Sequence, residues 1–168
     1  MAPKRVGELQ IEEDQQFQER EWKVERAGWL VMGLVILLAL LGLFGRGPLS
    51  QAAVSGPQGY EVDYERFARY QSPVDLRVLL PQQAISEGEA RFWIERQYLE
   101  AFEIEKIVPE PDSVEIGPER VIYTFPAAAT GQQVVIRLDL RPKRSGLVRG
   151  RTGWGEANPL AFTQLIYP

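Results

Sequence analysis

The sequence predicts a mainly β protein carried on a membrane anchor: one N-terminal transmembrane helix followed by an antiparallel β-sandwich-like periplasmic domain. Three observations predict it. A run of 19 uncharged residues, Ala27–Gly45, stands near the N-terminus. Beyond residue 60, short segments of alternating hydrophobicity are separated by Gly, Pro and Asp breakers. No amphipathic pattern long enough for a large helix interrupts them, although Ile85–Leu99 offers a short helix, which makes a small α+β domain the alternative. The expected divisions are a cytoplasmic helical tail (1–26), the span (27–45), a linker (46–59) and the β domain (60–168).

Residues 8–26 contain no Gly or Pro and are rich in helix formers, so a helix running into the span is predicted. Glu19 and Lys23 stand four apart in the favourable order. Phe17 and Val24 repeat every seven residues along one stripe, a candidate surface for docking a neighbouring subunit.

At ~1.5 Å per helical residue the uncharged run covers roughly 28 Å, one bilayer core. It is longer than the apolar part of a secretory signal, and the residues before it are long and acidic. An uncleaved anchor is therefore expected, despite the small residues at Ser50–Ala52. Arg20, Lys23 and Arg26 precede the run and only Arg46 closely follows it, which puts the N-terminus in the cytoplasm of a bacterial inner membrane. Trp22 and Trp29 are placed to anchor at the interface beside Arg26, with Arg46 at the far boundary. The run has no ionisable group for a proton or ion path, no histidine for haem or pigment, and no small-residue pair four apart.

Composition excludes much chemistry. With no Cys and no His, thiolate catalysis, disulfides, Cys/His zinc sites and His-based triads are absent together. The net charge of -4 gives no polycationic body for a phosphate backbone, so no nucleic-acid partner is expected. Glu103 and Glu105 share a strand face, yet neighbouring acids on a solvated strand are the ordinary case. Asp63, Glu65, Glu110 and Asp112 lack a calcium-loop pattern. Gly150–Gly155, G-R-T-G-W-G, is not followed by Lys-Ser or Lys-Thr, and reads as a flexible loop with Trp154 either capping the sandwich or contacting a partner. No catalytic, cofactor-binding or metal-ligating residue is assigned, and no cofactor is expected.

Seven strands are predicted: Tyr60–Tyr64, Val74–Leu80, Ala90–Ile94, Glu100–Ile107, Arg120–Phe125, Gln133–Leu140 and Leu160–Tyr167. In the sixth, Val134, Ile136, Leu138 and Leu140 face one way and Arg137, Asp139 and Arg141 the other. Val121, Tyr123 and Phe125 share a face of the fifth, and Thr130-Gly131 predicts a hairpin joining the two. Arg137, Arg141, Lys143, Arg144, Arg149 and Arg151 gather in the late sequence, opposed by the acids Glu100, Glu103, Glu105, Glu110, Asp112, Glu115 and Glu119. The basic residues are candidate contacts to acidic headgroups or an acidic partner. Tyr60, Tyr64, Tyr70, Trp93 and Trp154 are candidate aromatic anchors.

The juxtamembrane stretch E-R-E-W-K-V-E-R-A-G-W at Glu19–Trp29, with G-L-F-G-R-G-P-L-S at Gly42–Ser50, resembles a group of uncharacterised single-pass bacterial inner-membrane proteins. That resemblance covers about the first third of the chain and implies topology but no activity. In plan the chain is similar to accessory subunits of photosynthetic reaction-centre and light-harvesting assemblies, or of respiratory complexes. This similarity implies a non-catalytic subunit whose partners are membrane lipids and other subunits of a membrane complex, a photosynthetic one foremost. The alternative is a membrane-tethered periplasmic binding or assembly module.

Overall fold

The computed structural model describes residues 15–40, 47, 49–127, 133–155 and 159–168, with the side chains of α1 from Glu21 onward. The chain divides into two units at Leu38–Ala39, a helical one and a β head. Helix α1 spans Gln15–Leu40. No helix among the described residues is long and apolar enough to cross a membrane. The uncharged part of α1 within them, Ala27–Leu40, extends about 21 Å at ~1.5 Å per residue, and Leu41–Gly45 lie outside the described residues.

The head is built from β1 (Gln51–Ser55), β2 (Glu61–Glu65), β3 (Phe67–Arg69), β4 (Val74–Leu80), β5 (Ile85–Ser86), β6 (Glu89–Glu95), α2 (Arg96–Leu99), β7 (Phe102–Val108), β8 (Ser113–Ile116), β9 (Arg120–Pro126), β10 (Val134–Pro142), β11 (Gly146–Gly153) and β12 (Leu160–Tyr167). One sheet has the order β1-β2-β4-β10-β7, the other β3-β12-β11-β6-β9-β8, with β5 paired to β6. Neighbours are antiparallel except β3 and β12, which run parallel. The mainly β, sandwich-like architecture is thus present, with a single four-residue turn of α-helix among the described residues of the head.

Alternation puts the core between the sheets. Val74, Leu76, Val78 and Leu80 of β4 and Ile136, Leu138 and Leu140 of β10 are buried, the first three directly cross-strand from Leu140, Leu138 and Ile136. They meet Phe92 and Ile94 of β6, Val121, Tyr123 and Phe125 of β9, and Phe162 and Ile166 of β12. Two polar chains thread this core. The Thr152 hydroxyl donates to the Trp93 carbonyl at 2.6 Å, leaving its oxygen to accept from Tyr60 Oη at 2.8 Å. Tyr98 Oη donates to Gln164 Oε1 at 2.6 Å, and Gln164 Nε2 donates to the Glu65 carbonyl at 2.8 Å. Each chain ties the two sheets together. Every buried side-chain polar atom among the described residues has a partner.

Several sequence expectations are corrected. The predicted hairpin does not form: β9 pairs with β6 and β8 in one sheet, whereas β10 pairs with β4 and β7 in the other. Thr130-Gly131 lies outside the described residues. The supposed loop at Gly150–Gly155 is largely strand, because β11 runs through Gly153. Gly150 and Gly153 answer to packing. A Cβ on Gly150 would sit 2.7 Å from Tyr98 Cδ2 and 2.8 Å from Phe162 Cζ, so two rings crowd the bare backbone. β1 occupies the stretch that reads as linker.

The two long sides of the head end differently. On one side, Ser50 Oγ donates to the Phe67 carbonyl at 3.0 Å and Arg66 N–H to the Ser50 carbonyl at 2.6 Å, tying the β1 side to β3. On the other, β7 and β8 are the edges of opposite sheets joined only by residues 109–112. β7 is bulged there: Ile104 faces Leu140 and Lys106 faces Asp139, so Glu105 is the extra residue.

Candidate functional site

The late basic residues arise on two strands of different sheets. In β10 the inward positions are apolar, which turns Arg137 and Arg141 to the outer face of the first sheet. In β11 the buried positions are Val148, Gly150 and Thr152, which turns Leu147, Arg149 and Arg151 to the outer face of the second. The intervening turn crosses from one sheet to the other, so the two sets point away from each other. The single basic cluster expected from the sequence is therefore distributed over three places.

The first place is an open depression of about 590 Å³ lined by Arg144, Leu147, Arg149, Arg151, Glu95 and Thr163. Arg151 is committed there: its Nη2 lies 2.7 Å from Glu95 Oε1, and the hydrogen bond and charge of Glu95 hold its guanidinium pKa above the ordinary value. Arg144 and Arg149 have no carboxylate partner among the described residues, and are the cations this face presents. The second place, about 350 Å³, gathers Arg141, Lys143, Tyr70 and Glu103. Arg141 is ion-paired with Glu105, the bulge residue, and the Lys143 N–H donates to the Ala101 carbonyl at 2.8 Å.

The third place is a face that the sequence pattern does not disclose. Asp75 stands opposite Asp139 and Arg77 opposite Arg137, like charges in direct register. Opposite charges around them compensate: Arg137 reaches Asp75 on the diagonal at 2.8 Å and Asp139 along its own strand at 3.0 Å, and Arg77 approaches Asp63, directly opposite it on β2, at 3.9 Å. The two carboxylates hold the Arg137 pKa above its usual range. This checkerboard floors a broad depression of about 750 Å³ bordered by Ala52, Tyr64, Val108 and Val135. Only knowledge of the register between β4 and β10 exposes it.

The aromatic candidates separate by burial. Tyr60 belongs to the core, and burial pushes its phenol pKa up, as it does for Tyr98. Tyr64 packs on Phe162 with ring centroids 5.1 Å apart. Trp93 is half-buried, donating Nε1–H to the Gly155 carbonyl at 2.8 Å beneath the Arg120 guanidinium. Trp154 is half-buried against the core, a capping position. Tyr70 is exposed. On α1, Trp22 and Trp29 are exposed, and Arg26 stacks over the Trp22 ring at 3.6 Å, so the three share one stripe. Val24 is exposed, while the Phe17 side chain and all of Arg46 lie outside what is described.

The carboxylates considered for chemistry do not converge. Glu105 is taken by Arg141, and Asp63 and Glu65 on β2 lie three strands from β7, which leads into the turn carrying Glu110 and Asp112. Among the described residues no group of three or more acidic, His or Cys side chains is placed to hold a metal ion.

The head is a two-sheet, β-sandwich-like module whose outer faces are charged and shallow. No family model and no curated protein matches the chain. Among solved structures it is similar to a cohesin module from a Clostridium perfringens ATCC13124 family 33 glycoside hydrolase. The two are 15% identical, the match covers 70% of this chain and 97% of that one, and the TM-score is 0.40.

Proposed function

We propose that the chain is a non-catalytic accessory subunit anchored in a bacterial inner membrane by α1, with its head in the periplasm. The observation that supports this reading is the circumference of the helix. Leu30, Val31, Met32, Leu34, Val35, Ile36, Leu37 and Leu40 are each about half exposed or more. Successive residues are about 100° apart, so these side chains turn an apolar surface in every direction. Such a surface calls for lipid or a protein partner. With Leu41–Gly45 the uncharged run reaches the length of a bilayer core. The Trp22–Arg26 stack at its N-terminal boundary supplies an aromatic and a cationic group suited to headgroups on the cytoplasmic side. Anchoring confines the head to a layer beside the membrane, where weak contacts from its charged faces add to those of the helix through effective concentration. The likeness in plan makes a photosynthetic assembly the preferred host complex.

Carbonate extraction of membranes expressing the full chain tests the anchor. The wild-type chain should stay with the membranes. Ile36→Arg, at the middle of the run, should release a large part of it, since a central arginine costs about 2.5–3.5 kcal/mol on insertion scales. Recovery of the wild-type chain in the wash, or a mature N-terminus near Ala53, would refute the reading. Mass spectrometry of proteins that accompany the chain from mild detergent identifies the host complex.

A further inference from the structure

The side of the head between β7 and β8 is left open, and it is apolar. Val114 and Ile116 stand in register with Tyr123 and Val121, which are buried, so they project from the inner face of their sheet. They are nevertheless 45% and 73% exposed among the described residues. Across the gap, Ile104 is in register with buried Leu140 and is also exposed. The opposite side of the sandwich, by contrast, is closed through Ser50.

The backbone of this edge is free as well. Gly117 N–H donates to the Arg120 carbonyl at 2.9 Å, which sets the phase of the β8–β9 ladder. Bonded and non-bonded pairs alternate in an antiparallel ladder. Glu115 therefore turns its N–H and C=O toward β9, whereas Val114 and Ile116 turn theirs to the free edge. Among the described residues no strand pairs with that edge. Proteins ordinarily blunt such edges; the bulge at Glu105 does this for β7, whereas β8 has only its shortness and Glu115.

The charge around the edge selects what fits it. Between Ile107 and Glu119 the sequence holds Glu110, Asp112, Glu115 and Glu119 and no Lys or Arg. A second copy of the head, pairing β8 with β8, would bring these carboxylates against their own equivalents. We propose that β8 accepts an extended segment of a basic partner polypeptide, in which apolar residues alternate with Lys or Arg. Its backbone continues the sheet at Val114 and Ile116, its apolar side chains cover the open side over Ile104 and Ile116, and its cations lie along Glu115 and the flanking acids. The inference is independent of how α1 is anchored.

The test uses the full chain in non-ionic micelles and fluorescence anisotropy of a labelled peptide, Lys-Val-Lys-Ile-Lys-Val-Lys, against Glu-Val-Glu-Ile-Glu-Val-Glu. Saturable binding of the basic peptide is expected, with the acidic one at least about tenfold weaker. Val114→Pro removes an edge N–H while leaving the β9 ladder intact, and Ile116→Lys places a cation on the exposed edge. Each should weaken binding by about tenfold or more, and Leu147→Lys, on the outer face of the same sheet three strands away on β11, should not. Should Val114→Pro disturb the fold, Ile116→Lys carries the test alone. Absence of saturable binding, equal binding of both peptides, or indifference to both edge substitutions would overturn the proposal. So would a dimer of the chain that Ile116→Lys dissolves, which would make the occupant a second copy.

Discussion

Gly150→Ala adds one methyl group at the most crowded glycine described in the head. On an ordinary strand the exchange is favourable by about 0.5–1 kcal/mol, because glycine has more freedom to lose on folding. Here the new Cβ would lie 2.7 and 2.9 Å from two carbons of Tyr98 and 2.8 Å from one of Phe162. Carbon atoms pack at about 3.5–4.0 Å, so each ring must withdraw by roughly 1 Å. Neither is free to do so. Tyr98 is fixed by its hydrogen bond to Gln164 and lies between Phe102 and Phe162, at centroid distances of 4.8 and 5.0 Å. Overpacking of this kind costs about 1–3 kcal/mol, and the rigidity of the site places the cost in the upper half of that range. For a domain of this size the midpoint should fall by roughly 6–10 °C. Gly56→Ala is the comparison, since its Cβ would meet the movable end of Leu160 at 3.0 Å and should cost less. Circular dichroism melts of the full chain in detergent measure both. A midpoint for Gly150→Ala equal to or above the wild type would refute the reasoning.

The polar chains through the core give two further expectations. Tyr98→Phe strands Gln164 Oε1, whose side chain is buried, and should cost about 1–3 kcal/mol in urea unfolding; an unchanged midpoint would mean that the bond carries no weight. The second concerns alkaline pH. Burial raises the folded-state pKa of Tyr60 and Tyr98 above the unfolded value near 10. Their contribution is therefore complete below pH ~10 and is lost as pH climbs from there toward the raised folded value, at about 1.4 kcal/mol per pH unit for each ring. Tyrosinate absorbance should show part of the six-tyrosine signal appearing only with unfolding; full ionisation near pH 10 with the fold intact would contradict this.

Where burial is strictly one-sided, the strands were legible from sequence alone. Val74–Leu80 and Leu160–Tyr167 carry the same bounds in the structure as in the pattern, and the inward set of β10 is the one its alternation indicates. Pairing was not legible. β9 and β10 each present an apolar face and a polar face, so a local hairpin and a separation into two sheets satisfy the same pattern; what decides is the competition of β6 and β4 for them. β11 hides behind Gly150 and Gly153, residues that look like loop signals but are required by Tyr98, Phe162 and Trp93 pressing on the backbone. β8 is exposed at every residue, so no contrast marks it. For the same topological reason the basic residues form no single site: Arg141 and Arg149 are eight apart in sequence but occupy outer faces that look in opposite directions. The apolar run, by contrast, depends only on local composition.

Short β3 joins the beginning and the end of the head. Ser50, where the chain enters, bonds to Phe67, while Tyr167, near where it leaves, pairs with Arg69 and accepts the Tyr70 N–H at 2.8 Å. Phe67 and Arg69 are two residues apart, about 7 Å along a strand. Entry and exit are therefore neighbours, and the head is topologically close to a ring. A short linker between them, with new termini opened at the Glu87-Gly88 turn, would preserve every ladder of both sheets. Circular permutation could thereby move the point of attachment to another flank of the head without rewriting its core.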